Sequence, residues 1–165
     1  EELAGLVEVR LRREPDGSVG GATIAAPRPL SLGAELPATE VASLVGLAAG
    51  EVRTDAHAPV LASVGNPFLI AEVTGGGLTR ATPDFAAFRA AVARWPALAG
   101  RLSLYLYARE GAALRARMFA PLGGMIEDPA TGSAATPLAA LLLHLSGEAR
   151  GAWTVTQGVE MGRPS

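Results

Sequence analysis

A chain of 165 residues with 49% hydrophobic content can build one well-cored domain or two small lobes, which argues against disorder. Its formal charge of -2 and scattered arginines give no basic surface for a phosphate backbone, so nucleic acid is excluded as a partner. No run reaches the roughly 18 apolar residues of a membrane span, so the chain is expected to be soluble and cytoplasmic, with no membrane partner.

Gly5 to Arg12 alternates, with Val7, Val9 and Leu11 on one face, the period-two pattern of a half-buried strand. Glu14-Pro15-Asp16-Gly17 supplies a turn, and Ser18 to Ala26 returns as a second strand, so the opening is a predicted hairpin. From Pro37 to Leu47 the apolar spacing predicts a helix with proline at its entrance and Gly50 as its stop. Pro59 to Val64 and Phe68 to Thr74 are apolar runs joined by a turn at Gly65-Asn66-Pro67, and Gly75-Gly76-Gly77 is expected to break the second.

Thr82-Pro83-Asp84 is predicted to open a helix, with Thr82 as cap and Phe85, Phe88, Val92 and Trp95 as its buried stripe. Leu102 to Tyr107 and Leu114 to Phe119 alternate on either side of Glu110-Gly111, an expected antiparallel pair in which Tyr105 and Tyr107 cover the sheet. Ser133 to Leu145 is almost uniformly apolar, so this central helix is expected to be surrounded, with Pro137 near its first turn. Trp153 to Val159 is a last strand. The element order predicts an α+β fold, a mostly antiparallel sheet wrapped around a buried central helix.

The chain has no cysteine, and all 14 of its basic residues are arginine. That excludes a thiol nucleophile, a thiolate metal site and a lysine Schiff base. His57 and His144 lack ligand spacing, so no metal is expected. His57, in Thr54-Asp55-Ala56-His57, is expected in solvent, and His144 as a polar tip reaching a carbonyl. Chemistry is left to carboxylates, hydroxyls and backbone amides. They converge in Glu127-Asp128-Pro129-Ala130-Thr131-Gly132-Ser133-Ala134, two acids before a helix entrance whose small residues leave the first amides uncovered. Asp128 can accept from a substrate hydroxyl or amine and Ser133 can donate to a carboxylate; the plainer reading makes Asp128 a helix cap and Ser133 a packing residue. Arg117, on the strand leading in, is expected to clamp the acidic loop.

Arg117-Met118-Phe119-Ala120-Pro121, the Glu127 to Ala135 run, and Gln157-Gly158 with Met161-Gly162-Arg163-Pro164-Ser165 resemble the C-terminal half of the PhzF family. That family is named for phenazine biosynthesis and shares the fold of diaminopimelate epimerase. The resemblance implies that residues 1–165 are mainly the C-terminal lobe of a two-lobed protein, with residues 1–20 or so leading from an N-terminal lobe. It implies a cofactor-free isomerase that shuttles a proton on a small carboxylate substrate and is a homodimer. Asp128 matches the family's substrate-site aspartate and is the expected catalytic residue; Gly132 and Ser133 match its substrate-binding positions. The family's acid/base glutamate belongs to the N-terminal lobe, and the resemblance gives Glu127 no such role.

Gly65-Asn66-Pro67 also resembles the epimerases' Gly-Asn-Pro, with Phe68 in place of their histidine. Their second-lobe cysteine would fall near Ala130 or Thr131, neither of which can deprotonate carbon. A chain lacking the other lobe is expected to be inactive alone and to expose an apolar face. The alternative function is a non-catalytic module binding a carboxylate or anion. A hydrolase with Ser133 as nucleophile lacks a base beside it.

Overall fold

The structure is a computed structural model that describes residues 7–165, so the start of the predicted first strand, Gly5 and Leu6, lies outside the described residues. The opening alternation folds as the expected hairpin, β1 (Val9–Arg13) pairing antiparallel with β2 (Val19–Ile24). The pairs Val9↔Ile24 and Leu11↔Ala22 gather the apolar side chains on one face. The sequence suggests half-burial, yet every residue of β1 is exposed, Leu11 at 55% and Ile24 at 57%. The reason is topological: the hairpin is its own two-stranded sheet beside the main one.

After the hairpin come β3 (Ser31–Glu35), α1 (Ala38–Leu44), β4 (Val52–Arg53), β5 (Val60–Ser63), β6 (Pro67–Val73), α2 (Gly75–Arg80) and α3 (Phe85–Arg94). Helix α1 stops earlier than Gly50: Gly46 takes the left-handed conformation at φ 66°, and Gly50 lies in the 3-10 turn Ala49–Glu51. The three glycines expected to break the chain instead open α2. The Thr74 hydroxyl accepts from the Gly77 amide at 3.0 Å and so caps a helix that glycine disfavours. In α3 the cap is Asp84 rather than Thr82, its Oδ1 accepting from Ala86 and Ala87 at 2.7 and 3.0 Å. Phe88 is buried there, while Phe85, at the helix start, is 39% exposed.

The remaining elements are β7 (Leu104–Glu110), β8 (Ala113–Ala120), β9 (Met125–Asp128), α4 (Gly132–Ser146) and β10 (Val155–Gln157). The main sheet has eight strands in the order β10-β8-β7-β6-β5-β3, with β4 beside β6 and β9 beside β8. It is mostly antiparallel, as expected; β6–β7 and β8–β10 are the parallel pairs. Strand alternation divides the core between two faces. Leu104, Leu106 and Ala108 meet α1 to α3, whereas Tyr105 and Tyr107 meet α4.

Helix α4 buries Ala134, Leu138, Leu141 and Leu142 on the sheet, but it is not surrounded. Its opposite side carries half-buried Ala135 and Ala139, and Leu145 is 45% exposed. Pro137 lies deeper than the first turn, as the sixth residue of the helix, and its missing N–H leaves the Ser133 carbonyl without the usual helical donor. No helix among the described residues is long and apolar enough to cross a membrane.

The chain's two tyrosines are both fully buried, and without lysine or cysteine few other groups titrate in mild alkali. Burial raises the pKa of Tyr105, helped by the charge of Asp128; burial and then the hydrogen bond to Glu72 raise that of Tyr107. Folding therefore favours the neutral phenols. Stability should be flat below the ordinary value of 10.0 and fall above it, by about tenfold in the folding constant per pH unit for each tyrosine. Urea unfolding from pH 8 to 11.5 checks this, and Tyr107→Phe should shallow the fall; an unchanged midpoint up to pH 11.5 would contradict it.

Candidate active site

One edge of β8 is paired with β7, and its other edge is shared, β10 lying along Leu114 to Ala116 and β9 along Met118 to Ala120. The sequence reading took the segment before Pro129 as a loop, but its last four residues are β9. Being a strand, β9 sends its two adjacent acids to opposite sides of the sheet. Asp128 stands opposite Met118, itself opposite Tyr105, so all three side chains share the α4 face. Glu127 turns to the other face.

There it meets Arg117 in a two-pronged pair, Nε to Oε1 at 2.7 Å and Nη2 to Oε2 at 2.8 Å. The remaining Nη1 donates to the carbonyls of Leu78 and Ala81 at 2.9 and 2.8 Å, satisfying the C-terminal end of α2. The guanidinium lies 4.8 Å from the centroid of the Phe119 ring. Arg117 thus clamps the acidic strand to α2, and Glu127 is committed to it.

On the α4 face, Asp128 is half-buried and its carboxylate organises the helix entrance. Oδ2 accepts from the Thr131 hydroxyl at 2.6 Å, and Oδ1 accepts from the Ala130 amide at 3.4 Å. Gln157, 4% exposed at the end of β10, ties this turn to the sheet. Its Nε2 donates to the Asp128 carbonyl at 2.6 Å and to Thr131 Oγ1 at 2.9 Å; its Oε1 accepts from the Thr131 amide at 3.2 Å and from Tyr105 at 3.1 Å. The sequence reading gave Thr131, Tyr105 and Gln157 no role at the site. One signal was present: the alternation of Trp153, Val155 and Gln157 puts an amide on a core-facing position.

The C-terminal segment closes the turn from below. Gln157 and Ser165 exchange both backbone hydrogen bonds, and the Ser165 hydroxyl donates to the Pro129 carbonyl at 3.0 Å. Gly158 makes this possible at φ 79°, where a Cβ would stand 2.3 Å from the Arg163 carbonyl oxygen and 2.8 Å from that of Pro129.

Above this turn lies a cavity of about 590 Å³, between the apolar face of the β1–β2 hairpin and the open side of α4. Gly132 and Ser133 line it together with Asn66, Ile24, Val64 and Trp153. Gly132 and Ser133 are the first residues of α4, and their amides have no protein partner among the described residues. Asp128 is not in the lining. Two of the positions expected to face substrate are thus at the cavity, and the third sits in the turn behind it, with half of its acceptor capacity still open. Asn66 belongs to the bend joining β5 and β6, the turn expected from the sequence, and also reaches the cavity.

The histidines differ from expectation. His57 is half-buried rather than solvated: it stacks on Tyr107, with Nε2 2.9 Å from the phenol oxygen and Nδ1 2.7 Å from the Ala58 carbonyl. The Tyr107 hydroxyl donates to Glu72 at 2.8 Å, and Arg109 holds the same carboxylate. His144 is exposed, and no side-chain hydrogen bond reaches a carbonyl, because the end of α4 is finished by Gly147 in the left-handed conformation.

A family model described as PhzC-PhzF, phenazine biosynthesis-like protein, matches residues 1–165. The chain belongs to this family. Among curated relatives it is 33% identical over 155 residues to the uncharacterized isomerase mll1393 of Mesorhizobium japonicum, covering 84% of this chain and 47% of that protein. Over 65 residues it is 46% identical to trans-2,3-dihydro-3-hydroxyanthranilate isomerase of Pseudomonas chlororaphis, covering 39% of the chain and 23% of the enzyme.

A solved structure of a predicted epimerase, PA4716 of Pseudomonas aeruginosa, superposes with a TM-score of 0.73 at 30% identity, covering 96% of this chain and 53% of that one. A PhzF-family protein of Bacillus anthracis shares the fold at 19% identity, with a TM-score of 0.78 over 100% of this chain and 58% of its own. The chain spans about half the length of the mll1393 isomerase and of these two solved proteins. The PhzF family and the epimerase-like fold expected from the motifs are thus established.

Replacing Arg117 leaves the partly buried Glu127 carboxylate without its partner and removes the donor to three carbonyls. Arg117→Met should cost about 3 to 5 kcal/mol in urea denaturation, and a loss below about 1 kcal/mol would show that the pair holds nothing. Gly158→Ala meets both strain and backbone overlap and should cost about 3 kcal/mol; an unchanged melting temperature would count against the tight closure of the Pro129 turn.

Proposed function

We propose that this chain supplies the substrate-holding part of a cofactor-independent isomerase that moves a proton on a small carboxylate metabolite. The observation that carries the reading is the α4 entrance, where the unpartnered amides of Gly132 and Ser133 open into the cavity. Free amides and the positive end of a helix dipole suit a carboxylate. Ile24, Val64 and Trp153 supply apolar walls for the hydrocarbon part of such a molecule. In this reading Ser133 donates to the carboxylate, and Asp128 is the catalytic carboxylate, accepting from a hydroxyl or amine of the same substrate.

The relatives named as isomerases support the reaction class, and the name of one substrate, trans-2,3-dihydro-3-hydroxyanthranilate, specifies a ring with a carboxylate, an amine and a hydroxyl. That makes it the first compound to test. The proton-moving acid/base is proposed to come from a further lobe of the same protein, in keeping with relatives about twice as long. A second reading, binding of a carboxylate without turnover, is favoured by one observation: among the described residues, no titratable side chain lines the cavity.

In the full-length protein, Asp128→Asn should lower kcat on trans-2,3-dihydro-3-hydroxyanthranilate by about a hundredfold, as for loss of a general acid/base partner. Ser133→Ala should mainly raise KM, by about tenfold, as for the loss of one charge-assisted hydrogen bond. Wild-type kinetics in both variants would sink the assignment of these residues. A wild-type protein that binds the compound and never converts it would favour the binding reading.

A further inference from the structure

We infer that Tyr105, Gln157 and Thr131 form a one-way hydrogen-bond relay that ends on the Asp128 carboxylate and fixes its orientation, making these three the positioning residues of the site. The inference rests on the proposed role of Asp128 and adds the residues that act through it.

The direction of the relay follows from two backbone groups whose polarity is beyond choice. The Thr131 amide can only donate, and it meets Gln157 Oε1 at 3.2 Å; the Asp128 carbonyl can only accept, and it meets Nε2 at 2.6 Å. These fix the orientation of the Gln157 amide. The second Nε2 hydrogen then points at Thr131 Oγ1, 2.9 Å away, which leaves the single hydroxyl proton of Thr131 for Asp128 Oδ2 at 2.6 Å. At the other end Tyr105 faces the carbonyl oxygen of Gln157 at 3.1 Å and must donate to it.

Every proton in the chain therefore points toward the carboxylate. Thr131 is 8% exposed, Gln157 4% and Tyr105 0%, so water cannot stand in for a lost link.

The register shows that a simple helix cap needs less. Asp128 and Tyr105 flank Met118 on the two edges of β8, and Gln157 stands opposite Ala116, so the relay draws on three strands to reach one carboxylate. The Asp128 charge also reaches Tyr105, whose pKa is raised first by burial and then by that charge.

The test uses the full-length protein with Thr131→Val, Thr131→Ser and Tyr105→Phe, each close in shape to the original. Turnover of trans-2,3-dihydro-3-hydroxyanthranilate gives one readout, and the carboxylate stretch of Asp128, isolated as an infrared difference against Asp128→Asn, gives another that needs no turnover. Thr131→Val should lower kcat about tenfold with KM within about twofold, and Thr131→Ser should restore it. The Asp128 band should be displaced in Thr131→Val and in Tyr105→Phe, and restored in Thr131→Ser. A band unmoved by Tyr105→Phe, or a Thr131→Ser variant as impaired as Thr131→Val, overturns the relay. If Asp128→Asn lowers turnover while Thr131→Val does not, the relay falls and the functional reading stands. If Asp128→Asn turns over like wild type while the band shifts as expected, the functional reading falls and the hydrogen-bond geometry stands.

Discussion

The outer edge of β8 is the constraint on which the rest depends. Eight residues of strand carry β7 along one side, while β10 and β9 take the other side in succession. That sharing brings Gln157 and Asp128, 29 positions apart, within a hydrogen bond of each other. Because strand side chains alternate, the same pairing sorts two neighbouring acids into different jobs. Glu127 pairs with Arg117 on the face covered by α1 to α3, and Asp128 lies on the face of α4. A slip of one residue in β9 would exchange them, putting Glu127 on the α4 face and Asp128 on the face of Arg117.

The turn between β9 and α4 is over-determined by hydrogen bonds rather than by packing. Asp128, Thr131, Gln157 and Ser165 hold Pro129 and Ala130 from several sides, and the first two amides of α4 are left facing the cavity. In the proposed reading this is preorganisation: donors already held in place would need no reordering when a carboxylate binds. The apolar walls deepen the effect, since charge–dipole interactions strengthen where water is excluded. The hairpin face that supplies one wall is also an exposed apolar surface, with Val9, Leu11 and Ile24 each more than half accessible.

Much of this was legible in the residues. The apolar run after Thr131 was legible as a helix, though one that buries a single side on the sheet and is not surrounded, and the alternation from Leu102 to Phe119 marked the central strand pair. Strand β9 was hidden because four residues after two glycines are too few to display a period. Helix α2 was hidden because its stability comes from outside its own sequence, from the Thr74 cap and from Arg115 and Arg117 on β8. The burial of His57 depends on Tyr107, 50 positions away, a partner that no local pattern announces. At the site, Asp128, Gly132 and Ser133 stand out as candidates in the run itself, whereas the hydrogen bonds of Tyr105 and Gln157 exist only across the sheet.

The parallel pairing of β10 with β8 carries a consequence for the order of assembly. A hairpin such as β7–β8 closes locally, but a parallel neighbour requires the chain to cross over, here by way of α4. Gln157 therefore cannot reach Thr131 until α4 has docked on Tyr105 and Leu138 has found its place in the core. Long-range contacts of this kind form late, because loop closure must precede them. The carboxylate turn is thus finished among the last parts of the chain, and its rigidity reports on the completeness of the whole fold.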